Sequence, residues 1–147
     1  MPNWWLLALP LIAGTFMPLQ AGINGQLAKH LSSVLAAALV SFLVGGCALL
    51  IVVASQRDLP SLDLLKSLSW WHWSGGLLGA FFIATAAYSG PRIGALLFMV
   101  LVLAGQLGMA LLLDHKGWAG FREAPITAGK AAGMALIIGG LWLIRRG

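Results

Sequence analysis

Two amides, Gln20 and Asn24, stand in a stretch that carries no formal charge from Asn3 to about Ala28. Four residues apart, they share one helix face with Met17 and Ala13. An amide in hydrocarbon is costly without a hydrogen-bond partner, so both must turn towards other helices or towards a cavity. Two chemistries are open to them: bonding between helices, worth about 0.6 kcal/mol each on average, or contact with a neutral solute. Gln106 is a third amide of the same kind, in a later apolar stretch. Asp114 is the carboxylate best placed to couple transport to protons, the competing reading being a solvated helix end. His30, His72 and His115 lie at the ends of apolar stretches and lack the spacing of a metal site. The sequence carries no nucleophile–base pair, phosphate loop or catalytic signature. It reads as a non-enzyme, with no cofactor and no metal implied.

The elements that must hold these residues follow from composition. Of 147 residues, 60% are hydrophobic and 9% charged, with a mean hydropathy of +0.92. A soluble domain carries about 25% charged residues, so this chain cannot cover a water-facing surface. Its apolar richness also excludes disorder. A membrane helix needs about 20 mainly apolar residues. Five such runs are present, at about 4–28, 33–55, 71–90, 93–113 and 126–144. The expectation is an all-α integral membrane protein of five transmembrane helices, forming a single membrane domain over 1–147. Lys29-His30 and Pro91-Arg92 divide neighbouring runs, and Gly117 stops the fourth as a helix C-cap would. Lys130, in the first turn of the fifth, can snorkel to the headgroups. Leucines among charges at 59–69, behind Pro60-Ser61 as a helix start, predict a short helix on the membrane surface. The first run lacks a basic leader and is too long for a signal peptide core, so it reads as a mature helix.

All seven tryptophans fall at span ends, as interface anchors do. The net charge of +5 sits in the connections and reads as membrane-flanking anchors, with no nucleic-acid partner implied. Cys47, the single cysteine, forms no disulfide within the chain. Five spans put Arg57, Lys66, Lys116, Arg122 and Lys130 on the face of the N-terminus, and Lys29, Arg92, Arg145 and Arg146 on the other. That near balance gives the positive-inside rule little to act on. It predicts insertion in both orientations, and an antiparallel pair of chains with the geometry of an inverted repeat.

Pro10, Gly14 and Pro18 punctuate the first run. Pro18 frees the carbonyl of Gly14, which predicts either a broken helix of the sort in which transporters build sites or a simple kink. Gly75-x-x-x-Gly79 and Gly129-x-x-x-Gly133 permit close helix packing. The fifth run, with Gly129, Gly133, Gly139 and Gly140, is the candidate dimer interface.

The order and spacing of several short motifs carry a resemblance. They are Gly14-x5-Gln20-x3-Asn24, Ser41-Phe42-x-Val44-Gly45, Trp70-Trp71-x4-Gly76-Leu77-Leu78-Gly79-x-Phe81-Phe82, Ile93-Gly94-Ala95, Gln106 and Asp114. Together they resemble the YdcZ-like family of bacterial inner-membrane proteins, within the drug/metabolite transporter superfamily. The resemblance implies a five-helix unit that is half of a ten-helix transporter, with kinship to antiparallel small multidrug resistance dimers. Those carry an acidic residue in the first helix. Here Gln20 is the nearest polar group, and an amide does not exchange a proton at physiological pH. The expected function is therefore a dual-topology homodimeric transporter in the bacterial inner membrane. Its largely apolar cavity, with Gln20, Asn24, Met17 and Gln106 as substrate contacts, would take neutral, amphipathic or lipid-like solutes. A structural or accessory membrane subunit, or a lipid scramblase or flippase, is the alternative.

Overall fold

The computed structural model describes residues 4–146, with side chains from Leu6 onward. All regular structure among them is helical, and the chain divides into two compact units, Met1–Arg92 and Ile93–Gly147.

The first unit opens with α1, Trp4–His30, which passes Pro10 and Pro18 without interruption. Of the two readings left open at Pro18, the broken helix is not what the structure shows. Each proline removes one N–H, and the remaining ladder keeps the helix continuous. α1 closes on a left-handed Ser32 (φ 51°). The Leu31 N–H donates to the Leu27 carbonyl (2.9 Å) and the Ser33 N–H to the Ala28 carbonyl (3.1 Å). Ser33 then caps α2, Val34–Ser55, its hydroxyl accepting from the Ala36 N–H at 3.1 Å. The chain therefore reverses over residues 31–33, just beyond Lys29-His30. The predicted surface segment 59–69 is helical only over α3, Leu62–Ser67, capped by the Ser61 hydroxyl. A 3-10 turn, Trp70–Trp73, leads into α4, Ser74–Ile93.

These helices pack through small residues. Ala21, Asn24 and Ala28 of α1, Ala37 and Ala38 of α2, and Ile83, Ala86 and Ala87 of α4 are buried. Leu7, Leu11, Leu35, Ile51, Leu77 and Phe81 are exposed. Lipid is as apolar as leucine, so hiding large side chains gains nothing there, and close backbone packing supplies the cohesion. Two approaches are tight: a Cβ on Gly79 would come 3.2 Å from Phe42 Cζ, and one on Gly25 would come 2.5 Å from Pro91 Cγ.

α4 runs past the expected division at Pro91-Arg92. Proline removes only its own N–H, and Arg92 Nη1 donates to the Tyr88 carbonyl. The break falls instead at Gly94, whose φ of 85° is natural to glycine.

In the second unit, α5 spans Ala95–Lys116 and ends on left-handed Gly117 (φ 61°), the C-cap read from the sequence. The main-chain carbonyl of Asp114 accepts from the N–H groups of Gly117 (3.4 Å) and Ala124 (2.7 Å), folding the connection back on the helix end. A 3-10 turn, Trp118–Gly120, precedes α6, Ala128–Arg146, which packs on α5. The Lys130 ammonium donates to the carbonyls of Ala124 and Pro125, both at 3.2 Å.

Four of the described helices, over Leu6–His30, Val34–Ser55, Ala95–Lys116 and Ala128–Arg146, are long and apolar enough to cross a membrane. α4 is 20 residues long but carries Thr85, Tyr88, Ser89 and Arg92 in its second half, which sets it apart from those four.

Candidate functional site

The amide pair read from the sequence divides by environment. Gln20 is exposed and lines a pocket of about 280 Å³ with Ser41, Phe42, Gly45, Gly46 and Leu49 of α2 and Ile83 of α4. Two polar side chains, Gln20 and Ser41, therefore share a small open pocket whose other walls are apolar or backbone. Such a composition suits a solute that needs one or two hydrogen bonds and otherwise prefers a dry surface.

Asn24, one turn further along the same face, is 3% exposed. Its Nδ2 has no hydrogen-bond partner. Nearly every buried polar group in a folded protein is paired, and this amide nitrogen finds no partner within its own chain. Its neighbours on α1 are Ala21 and Gly25, and Ala28 follows one turn later. Small residues on either side of Asn24 bring the other helices close to it.

Met17 is half-buried on α1, one turn before Gln20 and Ala21. Gln106 is exposed on α5 and, with Asp114, belongs to the second unit. Asp114 is half-buried, and its carbonyl serves the backbone turn described above. In the neighbouring His115 the buried Nδ1 has no partner. On α6, a Cβ built at Gly133, Gly139 or Gly140 would meet nothing within 4 Å, and one at Gly129 only Thr127 Oγ1 at 3.9 Å. Space for a side chain is thus open along the glycine positions of this helix.

Three site features were not among the expected contacts: Ser41, Ile83 and the Gly25–Pro91 approach. Ser41 carried a signal, as a lone hydroxyl in the middle of an apolar helix. Gly25 carried a weaker one, as a small residue between two others on the amide face. Ile83 carried none, because an isoleucine in an apolar run says nothing about which way it faces.

The comparison with known proteins decides the lineage. Residues 5–143 match the family described as "Putative inner membrane exporter, YdcZ". The chain belongs to the YdcZ family. It is similar to the inner membrane protein YdcZ of Escherichia coli (strain K12), with 28% identity over 145 residues, covering 95% of this chain and 94% of that protein. No solved structure matches it. The chain is accordingly an inner-membrane protein with several membrane helices, of a family classed with exporters and not with enzymes.

Proposed function

We propose that the protein exports a neutral or amphipathic small molecule, working as an antiparallel homodimer of two five-span chains within a single membrane domain each. The observation that carries this reading is the pairing of a small, mostly apolar pocket bearing Gln20 and Ser41 with the unsatisfied amide of Asn24 one turn away. An exporter needs contacts that a solute can make and break, and amides offer them without a fixed charge. Met17 joins the proposed contacts of the first unit, and Gln106 is a proposed solute contact of the second. Asp114 is the proposed coupling carboxylate. α4 supplies the fifth crossing: 20 residues at about 1.5 Å each span the roughly 30 Å hydrocarbon core. Rocking of one half against the other gives alternating access.

Flux is the direct test. Purified protein in liposomes should speed the release of at least one member of a panel of uncharged amphipathic solutes. Gln20→Leu should lower that flux several-fold while leaving thermal stability close to wild type, since leucine packs in a similar volume. A panel that leaves protein-containing and protein-free vesicles alike would favour the structural-subunit reading.

The dimer has its own checks. The open glycines of α6 favour this helix as the interface, and Gly133→Leu should shift the protein towards monomers in single-molecule photobleaching while insertion stays intact. Leucine is as comfortable in lipid as glycine, so only close helix contact would feel the change. Persistence of a full dimer would move the interface to the Gly75 and Gly79 face of α4. For dual topology, reporters fused at the C-terminus should be active on both sides of the membrane. A C-terminus found on one side alone would refute antiparallel insertion.

A further inference from the structure

A second pocket of the first unit, about 410 Å³, lies where the C-terminal ends of α1 and α4 meet the start of α2. Its chemistry differs from that of the Gln20 pocket. Lys29, Ser32, Ser33 and Arg92 line it, with Val34 and Pro91, and no carboxylate does. From this we infer that it is a binding site for a phosphate group of net negative charge.

The charge balance supports an anion. Helix C-termini are electronegative and would repel one. Here the carbonyls at the end of α1 are occupied: Leu27, Ala28 and Lys29 accept from the N–H groups of Leu31, Ser33 and Ser32, and Gln26 from the His30 ring. At the end of α4, the Tyr88 carbonyl accepts from Arg92. The carbonyl of Ala87, which is also in the lining, lacks an N–H partner at Pro91, and the two formal charges of Lys29 and Arg92 outweigh the partial negative charge left at this helix end. Arg92 is also positioned, its Cζ lying 3.8 Å from the centre of the Tyr88 ring. One of its five N–H donors serves the Tyr88 carbonyl and the others remain for a ligand. Lys29 is an exposed point charge on the same wall.

The hydroxyls add direction. Ser33 Oγ accepts from the Ala36 N–H, which leaves its own proton to donate outward. α2 begins at Val34, and the first N–H groups of a helix have no intrahelical acceptor. Guanidinium, ammonium and hydroxyl donors around one volume match the several acceptor oxygens of a phosphate better than a single carboxylate.

A phosphate could reach this pocket as a lipid headgroup or as a soluble compound. Two binding measurements separate the sources, and neither depends on transport. In native mass spectrometry of the detergent-solubilised full-length chain, phosphatidylglycerol should be retained over phosphatidylcholine, which adds a quaternary ammonium to the same phosphate. In thermal unfolding, inorganic phosphate should raise the midpoint above that in chloride of equal ionic strength. Retention in the first assay alone identifies a headgroup site, a shift in the second identifies a soluble phosphate site, and both together identify a site open to either.

Whichever probe binds, Lys29→Gln with Arg92→Gln should weaken it by about tenfold or more. Arg57→Gln with Lys66→Gln, the same charge loss outside the pocket, should leave it unchanged. If the site pair fails to fold, Lys29→Gln alone, at an exposed side chain, should still weaken binding several-fold, with Lys29→Arg restoring it. The inference is overturned if neither probe is preferred over its control. It is equally overturned if the site substitutions leave binding unchanged, or if the outside pair reduces it as much.

Discussion

Gly25→Ala is expected to destabilise the first unit by about 1–3 kcal/mol, the usual cost of overpacking a fitted site. Two effects compete at this position. Gly25 lies deep in α1, where glycine costs about 1 kcal/mol relative to alanine, so helix propensity alone makes the substitution stabilising. Packing reverses the sign. The new methyl would sit 2.5 Å from Pro91 Cγ and 3.6 Å from the Ala87 carbonyl. The first contact is over an ångström inside normal van der Waals separation, and the atom it meets belongs to a closed ring that cannot swing aside. The Ala87 carbonyl is the one that Pro91, four residues on and without an N–H, leaves without its helical partner. The two helices touch where one lacks a side chain and the other lacks a donor. Unfolding titrations with SDS in mixed micelles would measure the effect. Pro91→Ala removes the ring, so in the double variant most of the penalty should vanish, with a coupling energy of about 1 kcal/mol or more. A stabilised or unchanged Gly25→Ala single variant would mean that α1 and α4 do not meet at this point.

That contact marks the limit of what the sequence discloses. The long helices were legible because hydrocarbon leaves the backbone few alternatives, and composition alone demanded hydrocarbon. Their caps were legible where a residue has one obvious function: Ser61 and Gly117 cap as expected. Two turns carry detail that the sequence does not show. Serine seldom takes a left-handed conformation, so nothing flagged Ser32. Pro91 looks like a helix breaker, yet at the last turn it removes a single bond and the chain continues to Ile93. At Pro18 the sequence left a broken helix and a kink both open, and α1 is continuous there.

The candidate site was half legible. A polar group within an apolar run is visible in any sequence, so Gln20 and Asn24 stood out. What separates their environments is the identity of facing helices, a long-range property. Gln20 meets Ser41 and Ile83 across an open space, whereas Asn24 is buried. Lys29 and Arg92 are 63 positions apart in sequence and read singly as membrane anchors. Only the turn at Ser32-Ser33 and the prolonged α4 bring them to one pocket.

Asn24→Leu should separate stability from transport more sharply than any other single change. Leucine branches at Cγ as asparagine does and carries no polar atoms. Leaving a buried polar group unpaired costs about 1–3 kcal/mol, and Nδ2 of Asn24 is in that state. Its removal should therefore hold the unfolding midpoint at or above the wild-type value. If the amide were ordinary helix glue, the same substitution would lower stability by about 0.6 kcal/mol, the mean value of such a bond. Flux should move the other way. A solute that bonds to the amide when rocking of the halves opens this packing loses one hydrogen bond in the variant, and transport should fall by about tenfold. Asn24→Gln keeps the amide but lengthens a side chain that is 3% exposed, so it should cost stability by overpacking. Measured together, SDS unfolding and liposome flux give two signs for each variant. Higher stability with lost flux in Asn24→Leu identifies an amide kept for the solute. Lower stability with unchanged flux would make it a structural residue, and the solute path would then have to avoid this face of α1.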